Sequence, residues 1–117
     1  MKNYEDMSDF EINKAVALIV GATFNDDGEP VRFVECDTGA YADFNEIEFD
    51  PCNNSADAWP IIDENNITII NDHPSMRLAV NDVSGYYNGF SGIIASYDEN
   101  GFRAAMIVFL KMNEDKL

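Results

Sequence analysis

Basic residues are scarce in this sequence. Seven lysines and arginines stand against 22 aspartates and glutamates, a formal charge of −15 over 117 residues. Between Arg32 and Arg77 there are none, while Glu35, Asp37, Asp43, Glu46, Glu48, Asp50, Asp57, Asp63, Glu64 and Asp72 all fall in that span. A surface of this kind repels phosphate, which argues against direct binding of nucleic acid or of an anionic membrane. It attracts basic partners at long range, and its charge exceeds what solubility alone requires.

Cysteine and histidine are equally sparse. Cys36 and Cys52 are too few for a disulfide framework, and read as two half-buried thiols. Together with the single histidine, His73, they lack the C-x-x-C spacing of a structural zinc module, so no metal is expected. With one histidine, Ser-His-Asp or Cys-His chemistry needs a distant Ser or Cys folded beside it, and Asp72-His73-Pro74 reads as a turn. Gly85, Gly89 and Gly92 do not open a helix with phosphate-cradling spacing, and no cofactor is expected. Asp26-Asp27-Gly28-Glu29 and Asp98-Glu99-Asn100-Gly101 lack the EF-hand ligand ladder and read as turns. No apolar run approaches the ~18 residues of a membrane span. Met1 to Asp6 lacks the layout of a secretion signal, which predicts a cytoplasmic protein.

What is present is the material of one domain, 1–117, with 46% apolar residues. Ser8-Asp9-Phe10-Glu11 is a capping-box sequence, and Ile12, Ala15, Val16, Ile19 and Val20 follow at helical spacing up to Gly21. Asn25 to Pro30 is a turn. Val31 to Asp37 and Tyr41 to Phe49 read as strands around a turn at Thr38-Gly39-Ala40. In the second strand Glu46, Glu48 and Asp50 alternate with Ile47 and Phe49, which places three carboxylates about 7 Å apart in a row above an apolar pair. Asp50 to Asn54 breaks the strand. A short helix near Ser55 carries Ala56, Ala58 and Trp59, with Pro60 in or just after its first turn. Ile67 to Ile70 reads as a buried strand. Arg77 to Asp82 and Phe90 to Tyr97 read as two more, with Asn88-Gly89 as a hairpin signal between them. A last helix from Phe102 to about Asn113 is apolar almost all round. It is therefore buried on most sides, or covered on one side by a second copy in a homodimer. The expected fold is α+β: a mainly antiparallel sheet of four to five strands, an N-terminal helix, a short central helix and a buried C-terminal helix.

Three blocks resemble the phage NinX-like family, small proteins of lambdoid phages and prophages whose role is undefined. They are Ser8-Asp9-Phe10-Glu11-Ile12-Asn13-Lys14-Ala15-Val16-Ala17, Asp50-Pro51-Cys52-Asn53-Asn54-Ser55-Ala56-Asp57-Ala58-Trp59-Pro60-Ile61-Ile62 and Arg103-Ala104-Ala105-Met106-Ile107-Val108-Phe109-Leu110. Ser55 stands where the family pattern has proline, and Lys111 where it has an apolar residue. The resemblance implies phage origin, expression in a bacterial host and an accessory role, and it implies no catalytic residues.

The favoured reading is an accessory protein that acts by macromolecular interaction, with Glu46, Glu48 and Asp50 engaging a basic surface of a host or phage protein. One version is mimicry of a nucleic-acid backbone that inhibits a nucleic-acid-binding or defence protein. The alternative is a small-molecule binder or small enzyme at the central loop, using Cys52, Asn53, Asn54, Asp57 and Trp59. Within that loop a lone tryptophan is more often a core anchor than a pocket wall. A third reading is a purely structural or assembly role.

Overall fold

A computed structural model of the protein describes residues 3–37, 42–71 and 73–116, with side chains for all of these except 34–37, 42–44 and 116. The expected Thr38-Gly39-Ala40 turn, Tyr41, Asp72 and the Cys36 thiol lie outside the described residues.

The chain starts with a 3-10 turn at Tyr4–Asp6 and helix α1 at Asp9–Val20. The capping box forms as the sequence dictates: the Ser8 hydroxyl accepts from the Glu11 N–H at 3.1 Å, and the Glu11 carboxylate accepts from the Ser8 N–H. Gly21 ends the helix in the left-handed region, at φ 76°. Strands β1 (Thr23–Phe24), β2 (Pro30–Asp37) and β3 (Ala42–Glu48) form one antiparallel sheet in that order. Since β1 is so short, it pairs only with Pro30 and Val31. Beyond Val31, β2 and β3 continue as a two-stranded ribbon to the Asp37–Ala42 pair. The molecule measures 57 × 28 × 24 Å.

Helix α2 spans Ser55–Glu64 and continues well past Pro60, where the sequence suggested only a short element. Proline is tolerated there because Pro60 and Ala56, whose carbonyl loses its helical donor, both sit on the solvent face. Meanwhile Ala58, Ile61 and Ile62 bury the opposite face.

A second antiparallel sheet contains β4 (Thr68–Ile70), β5 (Arg77–Val80) and β6 (Ala95–Asp98), in that order. The expected sheet of four to five strands is thus six strands in two three-stranded sheets. As an edge strand, β4 is only half-buried rather than fully buried.

Two further expectations fail between β5 and β6. No strand runs from Phe90 to Ile94, and Asn88-Gly89 turns no hairpin. The short helix α3 (Val83–Tyr87) occupies the segment instead. Gly89 is its left-handed stop at φ 71°, with the Phe90 N–H donating to the Gly85 carbonyl and the Gly89 N–H to that of Tyr86. This double return is the Schellman closure of a helix.

Helix α4 (Gly101–Met112) is the centre of the fold. Every residue from Ala104 to Leu110 is buried. It packs on β4, β5 and β6, on α1 and α2, and on the first 3-10 turn. The apolar character all around α4 is therefore satisfied inside one chain, and the homodimer offered to explain it is not needed for this helix.

Candidate functional site

The central block folds as a brace rather than as a pocket. Cys52 is fully buried in the turn after β3, where its N–H donates to the Asn13 side-chain oxygen at 3.1 Å. Its carbonyl accepts from the Asn100 amide at 2.6 Å. Burial, reinforced by the negative charge of Asp9, pushes the Cys52 thiol well above the ordinary range. It is therefore protonated and inert as a nucleophile at neutral pH. Asn53 donates to Asp9 at 3.0 Å and to Asp50 at 3.2 Å, and accepts from Asn100 at 3.0 Å. Asn54 caps α2, taking the Ala56 N–H at 2.9 Å and the Asp57 N–H at 3.3 Å. Asn100 caps α4 in the same way through Phe102 and Arg103. The starts of α1, α2 and α4, which carry the three sequence blocks, thus meet in one network.

Arg103 ties that network together. Its Nη1 lies 2.6 Å from Asp9 and its Nε 3.0 Å from Asp98, while Nη2 donates to the carbonyls of Met7 at 2.6 Å and Glu5 at 3.2 Å. Its side chain is 13% exposed. Burial works against its charge, but Asp9 and Asp98 more than offset this and raise its pKa. No local sequence pattern specifies this hub, although Arg103, a cation opening an otherwise apolar helix, is its visible signal. Asn13, an amide on the buried face of α1, is another.

Asp9 is held below the usual carboxylate range by the hydrogen bond from Asn53 and then by Arg103. Glu5 is lowered chiefly by the hydrogen bond from Lys111, at 2.7 Å. A carboxylate whose folded pKa is depressed stabilises the fold above its unfolded pKa, and that contribution is lost as pH falls through the folded value. Stability is therefore expected to drop below about pH 4, the ordinary carboxylate range. Urea midpoints measured between pH 7 and pH 3 should show a shallower acid limb for Asp9→Asn than for the unaltered chain. Equal limbs would mean that Asp9 is not a contributor.

The expected row of three carboxylates is reduced to two. Glu46 and Glu48 stand exposed on β3, opposite Phe33 and Val31. Asp50 lies beyond the strand end and is half-buried, with one oxygen 2.6 Å from the Asn13 amide. Asp57 also turns inward. Its carboxylate accepts from the Asp50 N–H at 3.0 Å and lies 2.7 Å from Arg32 Nε, an ionic contact without good hydrogen-bond alignment. Trp59 is no core anchor: it is 46% exposed and meets Phe102 edge-on, with ring centroids 5.7 Å apart. It follows Ala58 on α2, and in this register Ala58 takes the inward position.

Trp59 lines a cleft of about 450 Å³ with Ile69, Arg77, Glu99 and Phe102; neither Asn53 nor Asn54 belongs to it. A binder at the central loop would use Asn53, Asn54 and Trp59 together, whereas the two amides are spent in the network above and the indole lines this separate cleft. A larger cleft, about 550 Å³, opens between the end of α1, the base of β1 and β2, and the outer face of α2. Among the described residues no His, Cys, Asp and Glu group is arranged to hold a metal ion. Their ion pairs consume Arg32, Arg103 and Lys111, and none reaches Glu46 or Glu48. No helix of the described residues is long and apolar enough to cross a membrane.

A family model described as "Bacteriophage P22, NinX" matches residues 3–113, nearly the whole chain. No curated protein and no solved structure matches it.

Proposed function

The chain belongs to the NinX family of bacteriophage P22 and is a phage accessory protein, and from that premise we propose that it acts in the host cytoplasm by occupying a basic surface on a host or phage protein. The observation that carries this reading is the imbalance of charge at the surface. Arg32, Arg103 and Lys111 are drawn into ion pairs, whereas Glu46 and Glu48 stand exposed with no partner cation among the described residues. Successive same-face positions on a strand are about 7 Å apart, so the two carboxylates present a short repeat of negative charge to a partner. A partner that ordinarily holds nucleic acid has the complementary surface, and its occupation would inhibit it.

The central block supports this reading indirectly. Cys52, Asn53, Asn54 and Asp57 are committed to holding helices together, which leaves the outer surface to carry recognition. Binding through such charges weakens as salt screens them. Affinity capture from lysate of infected cells is expected to retain a basic, nucleic-acid-binding protein at low salt and to release it by about 0.5 M salt, where the Debye length is a few ångströms. The double substitution Glu46→Lys, Glu48→Lys is expected to lower the retained amount at least tenfold. Capture of no such protein at low salt, or retention indifferent to salt, would sink the proposal.

A further inference from the structure

The larger cleft offers a place for that partner to dock. Its walls are mainly apolar, and Phe33 at its rim is 53% exposed. Its polar groups are unequal in sign. The one cation lining it, Arg32, is already held by the buried carboxylate of Asp57 at 2.7 Å. Glu64 lines it as well and is exposed. Glu46 lies directly across the ladder from Phe33, on the same sheet face. An occupant therefore meets an apolar trough with carboxylates beside it and no unpaired cation among its lining residues.

Two backbone features add hydrogen-bonding capacity. Pro60 has no N–H, so the carbonyl of Ala56 lacks its helical donor, and both residues line the cleft. The second feature is the outer edge of β2. The Phe49 N–H donates to the Pro30 carbonyl, so the backbone of Pro30 faces β3. Alternation then turns Val31 and Phe33 the other way. There β1 supplies Thr23 opposite Val31 and no residue opposite Phe33. An extended segment can continue the line of β1 along this edge, a familiar mode of peptide capture.

We propose that this cleft docks an extended basic segment of the partner, with an apolar side chain seated beside Phe33 and lysine or arginine side chains reaching Glu64 and Glu46. The proposal rests on the interaction reading above. Charge selects the occupant: a second copy of this chain would bring its own −15 to an already acidic rim.

The test uses two synthetic octapeptides of equal charge, one alternating lysine with leucine and one alternating lysine with serine. The unaltered protein is expected to bind the lysine–leucine peptide at least tenfold more tightly. Ala56→Trp, which fills the cleft from an exposed helix position, is expected to erase that preference. Phe33→Ser, at the exposed rim, should do the same and guards against misfolding of the first variant. A preference that survives both substitutions, or no preference in the unaltered protein, overturns the proposal. So does a dimer in sedimentation that Ala56→Trp dissociates, because the occupant is then a second copy. Capture from lysate separates the two levels. Equal, salt-sensitive capture by the unaltered protein and by Ala56→Trp removes the cleft but keeps the interaction reading; no capture by either removes both.

Discussion

Arg103→Ala is expected to destabilise the fold by about 3 kcal/mol, the lower end of what breaking a buried ion pair costs, because Asp9 keeps partial access to water. The loss has several parts. The Asp9 and Asp98 carboxylates lose their common counter-charge, and the carbonyls of Glu5 and Met7 lose their donor. In a domain of this size the melting temperature should fall by roughly 10 °C or more. Arg103→Lys keeps the charge but not the planar fork that reaches both carboxylates, so an intermediate loss is expected. Urea unfolding of the three proteins decides the matter. A drop below about 1 kcal/mol for alanine would rank the contacts with ordinary surface pairs.

Leu110→Ala should cost about 3 kcal/mol as well, through lost burial and the cavity left in a packed interior. Leu110 is fully buried on α4, and sheets and helices of its own chain surround that helix. The melting temperature of the variant, like that of the unaltered protein, should therefore not depend on protein concentration. A loss that grows on dilution would show that a second subunit supplies part of the cover, since dissociation then couples to unfolding.

The parts of the fold that were legible in the sequence are those where local and tertiary demands agree. Ser8 and Glu11 cap α1, and Gly21 closes it, because those residues have few other uses in that order. The apolar surround of α4 signalled deep burial for the same reason. Asn88-Gly89 misled because two structures share one backbone requirement. A two-residue hairpin and a Schellman stop both need a residue at positive φ, which glycine provides at low cost. Local sequence carries little to separate them. The decision falls to α3, where Asp82 caps the Gly85 N–H at 2.9 Å. A side chain at Gly85 would approach Asp82 to 2.6 Å and Ile93 to 2.7 Å.

The site was less legible than the fold. Alternation placed Glu46 and Glu48 correctly on an exposed strand face, but it cannot say where a strand stops. Asp50 therefore moved from the row into the network of Asn13 and Asn53. Trp59 departs from the expected core position because residue type favours burial while helix register decides it. The brace around Arg103 joins segments that no local pattern connects. The larger cleft is assembled from α1, β2 and α2 and has no contiguous signature at all.

The brace has a consequence for how the protein is made. Its principal contacts join residues 94 to 98 positions apart, from Asp9, Met7 and Glu5 to Arg103. On the ribosome, α1 emerges ahead of its partner Arg103 and must wait, with its buried face open, until the residues that lead up to Arg103 have followed it. The brace thus closes only once Arg103 has followed α1, and the net negative charge of the chain opposes self-association in the interval.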